Sequence, residues 1–126
     1  MKAREAALRV KRFEADENSR RVANLQSMIR DFQAMAADLD RQIQAEEDRT
    51  GIRDSAHFAY STFAKSASQR RNNLRASAAE LTLKLEAALK ARDDAASELS
   101  QADSAPPRDG QRRRRRLERA NTASAR

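Results

Sequence analysis

VANLQSMIRDFQAMAADLDRQI, residues 22–43, decides the fold. Its large residues fall at Val22, Leu25, Ile29, Phe32, Ala36, Leu39 and Ile43, in alternating steps of three and four. A strand would scatter these side chains over both faces, whereas a helix gathers them on one stripe. The alternation is an a/d heptad seam, and all seven positions are apolar. Met28 and Met35 sit beside it at g and widen it. Carried backwards, the same register places Ala15 and Leu8 at a, so the helix is expected to run from about residue 3 to about residue 49.

Gly51 then supplies a stop, because glycine takes the left-handed conformation that ends helices. Asp54 or Ser55 is expected to cap a new helix by accepting hydrogen bonds from its free N–H groups. A second seam follows at Leu74, Ala78, Leu81, Leu85, Ala88, Arg92, Ala95, Leu99 and Ala102, broken only by Arg92. Pro106 and Pro107 cannot continue a helix. The expected fold is all-α, with helices over about 3–49 and about 55–104 joined by a turn at about 50–55. A short connection makes the helices antiparallel neighbours. Residues 1–104 should then form an antiparallel coiled-coil hairpin, with an Arg-rich disordered tail over residues 105–126. A homodimer or higher bundle is the main structural rival, since heptads alone do not fix partner number. The monomeric hairpin is preferred.

Composition agrees with helix and excludes much else. The chain has 126 residues and a net charge of +7. Leu, Ile, Val and Phe together number only 19, a level that by itself favours disorder. The 26 alanines count the other way, because alanine is the best helix former. With no cysteine there is no disulfide framework, thiol nucleophile or cysteine zinc site. No apolar run approaches the ~20 residues of a membrane span. The start, MKAREAALRVKRF, lacks the apolar core of a signal peptide, so a cytoplasmic location is expected. Gly51 and Gly110 are too few to build a phosphate-cradling loop. One histidine without cysteine offers no usual metal cluster. No enzymatic activity, cofactor or metal is expected.

The basicity is concentrated at the end. From Asp103 onwards eight arginines face Asp103, Asp109 and Glu118, a net of +5. The Arg112–Arg116 run suits contact with nucleic acid or anionic lipid, or a solvated tail. No aromatic lies near it to stack on bases, so specific nucleic-acid recognition is not expected.

GIRDSAHFAYSTF, residues 51–63, holds three of the five aromatics and the only histidine. At a hairpin tip His57, Phe58, Tyr60 and Phe63 would crowd together. Phe63, with Phe58, is expected to plug the end of the coiled coil. Two helices are too narrow to bury all three rings, so Tyr60 is expected as an exposed docking anchor with His57 beside it. His57, Phe58 and Tyr60 form the candidate protein-binding set at the tip. Val10, at c, and Phe13 and Leu83, at f, lie off the seam. Val10 and Phe13 either follow a drifting seam or form a second protein-binding surface. Leu83 is expected to be an isolated exposed residue.

The stretch FEADENSRRVANLQSMIRDFQAMAADLDRQIQAEEDRTGIRDSAHFAYSTFAKSASQRRNNLRASAAEL resembles FliJ, a small component of the bacterial flagellar type III export apparatus. The likeness covers about residues 1–100 and is most specific in GIRDSAHFAYSTFAKSASQRRNNL; the heptads alone would not distinguish it from other coiled coils. The ending PPRDGQRRRRRLERA departs from that family's acidic and apolar one. The resemblance implies an antiparallel coiled coil like the stalk of a rotary ATP synthase. It implies binding to the export ATPase FliI, contact with the export gate protein FlhA, escort of export substrate chaperones, and a place peripheral to the inner membrane at the flagellar basal body. Two other classes compete with it. One is an anion- or nucleic-acid-binding protein acting through the tail; the other is a structural, self-associating coiled coil.

Overall fold

The computed structural model describes residues 2–104. The Arg-rich tail expected over residues 105–126 lies outside the described residues. Two helices make up the fold, α1 (Lys2–Thr50) and α2 (Thr62–Ser104). At 1.5 Å per residue, the 49 residues of α1 span roughly 70 Å.

The pairing is antiparallel, as its cross-helix contacts show. Near the chain start Lys11 pairs with Glu98 at 4.0 Å and Arg12 with Asp103 at 3.5 Å. Near the turn Asp40 receives Arg71 at 2.8 Å and Arg75 at 2.5 Å. The expected first seam is the buried stripe of α1: Val22, Leu25, Ile29, Ala36, Leu39 and Ile43 are all buried. Phe32 is half-buried and packs against the same core. From α2 the core takes Ala64, Ala67, Ala78, Leu81 and Ala88, with Leu74 and Leu85 partly covered. The second seam therefore begins earlier than expected, because Ala64, Ala67 and Arg71 continue its spacing towards the tip.

Burial is uneven along the rod. Among the described residues no side chain before Val22 or after Ala88 is fully buried. The heptad positions there explain it: Arg4, Lys11 and Asn18 on α1 and Arg92 on α2 offer little apolar area. Half-buried Leu8, Ala15, Ala95 and Leu99 hold this open end together with the ion pairs.

The connection corrects the expected turn. Gly51 does end α1, with φ of 72° and its N–H donating to the Glu47 carbonyl at 2.8 Å. Yet α2 begins at Thr62 rather than near residue 55, so the connection spans residues 51–61. Asp54 and Ser55 do not cap α2. The Asp54 carboxylate accepts the Ala56 N–H, its carbonyl accepts the His57 N–H, and the chain closes a β-turn there instead. Ser61 is the cap: its hydroxyl oxygen accepts the Ala64 N–H at 3.2 Å, and its carbonyl accepts the Lys65 N–H.

Candidate functional site

The tip is held on the body of the hairpin by α1's last turn. Glu46 accepts the Ser61 hydroxyl at 2.9 Å and the Arg49 guanidinium at 3.1 and 2.5 Å. Glu47 accepts the Tyr60 hydroxyl at 3.4 Å, and Asp48 pairs with Arg53. The bond from Arg49, then that from Ser61, holds the Glu46 carboxyl below its usual range. The sign follows. The contribution of these bonds is complete above the ordinary carboxylate range and is lost as pH falls through Glu46's lowered value. Thermal melts of the parent and of Glu46→Gln should therefore differ most near neutrality and converge in acid, once the pH has fallen through Glu46's lowered value. A gap that stays constant down to acid pH would remove the charge from this staple.

The aromatics are placed differently from expectation. Tyr60 is half-buried and packs against the cluster formed by Leu39, Ile43, Ala64 and Ala67, so it closes the end of the core. Phe58 is 96% exposed and Phe63 is 54% exposed. The burial expected of the two phenylalanines thus falls to Tyr60, and the exposure expected of Tyr60 falls to them. The reason is register: Ala64, fully buried at 0%, occupies the seam position, and Phe63 lies about 100° further round the helix on its flank. Tyr60 precedes the cap and lies over the seam, with its hydroxyl directed to Glu47. His57 is exposed and stacks on Phe58, with ring centroids 4.7 Å apart and planes inclined at 21°. His57 and Phe58 thus form the exposed part of the tip set, with Tyr60 beneath as support.

The second candidate surface lies at the other end. Val10 is 56% and Phe13 62% exposed, and both sit on α1 beyond the buried seam. Leu83, 67% exposed, lies on α2 far along the helix from Phe63. Met28 and Met35 stay partly open on one flank of the hairpin. Beside Met35 lies an open groove of about 160 Å³, lined by Met35, Asp38, Leu39, Gln42, Arg70 and Leu74. That volume is well below the ~300–1,000 Å³ of a small-molecule site.

No family model, curated protein or solved structure matches this chain. Its function therefore has to be argued from its own surfaces. Among the described residues no three His, Cys, Asp or Glu side chains converge as a metal site. No described helix is long and apolar enough to cross a membrane. What the geometry offers is two exposed apolar contacts at opposite ends of a long hairpin.

Sequence reasoning missed the exposure of Phe58. A usable signal was present: the pairs Asp54–Ala56 and His57–Ala59 repeat one pattern of a side-chain acceptor two residues before an alanine. Such a pattern favours successive turns, which leave the residue after each acceptor at a corner.

Proposed function

We propose that this chain is a non-enzymatic component of the bacterial flagellar type III export apparatus. It acts as a stalk-like coiled coil between the export ATPase FliI and the export gate protein FlhA, and escorts export substrate chaperones. Its place is cytoplasmic and peripheral to the inner membrane at the flagellar basal body. The observation that carries this proposal is the display of exposed apolar side chains at both ends of one antiparallel rod: Phe58 at the tip, Val10 and Phe13 beside the chain start. The resemblance of GIRDSAHFAYSTFAKSASQRRNNL to FliJ sequences supports the same account. The tip, with His57 and Phe58, is assigned to the gate, and the Val10–Phe13 face to the ATPase ring.

The direct test is affinity capture of the tagged chain from its native cell. The export ATPase should be recovered with it, and recovery of nucleic acid without the ATPase would overturn the proposal. Changing Val10 and Phe13 together to serine should weaken ATPase binding and leave helicity by circular dichroism unchanged, since neither side chain is in the core. A loss of helix matching the loss of binding would return both residues to a packing role.

A further inference from the structure

The tip is built from two turns in series that share one design. In the first, residues 54–57, the His57 N–H donates to the Asp54 carbonyl at 3.0 Å, and the Ala56 N–H donates to Asp54 Oδ1 at 2.9 Å. In the second, residues 57–60, the Tyr60 N–H donates to the His57 carbonyl at 3.0 Å, and the Ala59 N–H donates to His57 Nδ1 at 3.0 Å. Each turn is thus closed by a backbone bond from the fourth residue to the first. Each is braced by a side-chain acceptor on the first residue reaching the N–H two residues on. Among the described residues only Gly51 has positive φ, so both turns belong to the kind that needs no glycine at its corners. Aspartate and asparagine are the usual braces of such turns. Here the second brace is an imidazole.

The substitution of brace matters chemically. A carboxylate accepts at every pH above its own low range. An imidazole nitrogen accepts only while it carries no proton, and in the imidazolium both nitrogens are donors. Between about pH 8 and pH 5 only histidine among the ordinary side chains changes charge. The residue at the corner of this second turn is Phe58, the most exposed large apolar side chain described, and its ring lies on the imidazole.

We propose that residues 57–60 form a proton-sensitive latch: with Nδ1 of His57 bare the turn is braced and Phe58 is held at its corner, and a proton on Nδ1 removes the brace and loosens the corner. The closed form places the imidazole proton on Nε2. On protonation two donors, Nδ1–H and the Ala59 N–H, are set against each other, and the brace is lost. Nearby charges are committed elsewhere. On α1 Glu46 holds Arg49 and Ser61, and Glu47 holds Tyr60. Asp48 holds Arg53, and in the loop Asp54 braces the first turn. Lys65 on α2 makes no described side-chain bond. Among the described residues no carboxylate lies within ion-pair distance of His57 to stabilise the imidazolium in place. Acidification should therefore release Phe58 from a fixed position without unfolding the helices. The inference concerns the tip alone and stands apart from the identity of any partner.

The experiment uses the full chain labelled with ¹⁵N. Ring spectra at pH 8 should find the His57 proton on Nε2. Between pH 8 and pH 5 the Ala59 amide should move with the same midpoint as the imidazole. It should take on the temperature coefficient of a solvent-bonded amide, and ring contacts between His57 and Phe58 should fade. Ala56, in the sister turn, is the internal control and should keep its coefficient throughout. His57→Asn supplies an acceptor that does not titrate, and should hold the Ala59 amide bonded at both pH values. A proton on Nδ1 at pH 8 would overturn the latch. So would an Ala59 amide whose temperature coefficient is the same at pH 8 and pH 5, since its shift would then report only the nearby charge.

Discussion

Replacing Ile29 by alanine should cost the hairpin about 2–5 kcal/mol, the range for truncating a buried aliphatic side chain. Ile29 is 8% exposed and belongs to the cluster with Val22, Leu25, Leu81 and Ala88, against which Phe32, Leu85 and Leu89 pack. Two helices cannot close over the gap as a larger core might, because each seam residue has neighbours on one facing helix only. The loss is also large against the whole. Of the eleven buried residues among those described five are alanines (Ala36, Ala64, Ala67, Ala78 and Ala88), which contribute little apolar area each. Total stability should therefore lie towards the low end of the ~5–15 kcal/mol usual for domains. Followed by circular dichroism, the melting midpoint should fall by more than about 10 °C. A shift of a degree or two would mean that the core does not depend on this seam.

Phe58→Ala and Tyr60→Ala should separate binding from folding. Phe58 is 96% exposed, so its removal should change stability by no more than about 0.5 kcal/mol. If the tip docks on the export gate through this ring, affinity should fall by about 2 kcal/mol, roughly thirtyfold. Tyr60→Ala should act in the opposite sense. It removes a ring that packs against the cluster of Leu39, Ile43, Ala64 and Ala67, together with the bond to Glu47, so the melting temperature should fall and binding should fall only in proportion to folding. Titration of both variants against the soluble part of the gate, beside their melts, reads the two effects together. Equal gate affinity for parent and Phe58→Ala would remove the tip aromatic from the contact.

The hairpin was legible in the sequence for a definite reason. A strict heptad at Val22, Leu25, Ile29, Phe32, Ala36, Leu39 and Ile43 admits one secondary structure and one buried face, and Gly51 marks its end. The tip was less legible because the rule of period stops where the helix stops. Asp54 can brace a turn or cap a helix with the same oxygen, and only the residues after it decide which. In this chain His57 takes up the next N–H and repeats the turn, so α2 waits for Ser61. Polarity misled the choice among aromatics. Tyrosine tolerates exposure better than phenylalanine, but the seam passes through Ala64, and an adjacent residue is turned away from it whatever its character. Alanine hid the extension of the second seam for a similar reason. With 20 of the chain's 26 alanines spread along the two helices, its presence at positions 64 and 67 carries little information.

The distance along α1 has a consequence of its own. From Val10 to the end of the helix at Thr50 the rise is about 60 Å, twice the ~30 Å diameter of a small domain. No single small domain can cover the Val10–Phe13 face and the Phe58 corner at once. Two partners would have to share the chain, and neither would feel the other through direct contact. Their affinities would combine only if they were themselves held apart by something of matching span. The second attachment would then occur at an effective concentration set by that geometry, highest where the spans agree and negligible where they do not. In that respect the hairpin is a ruler.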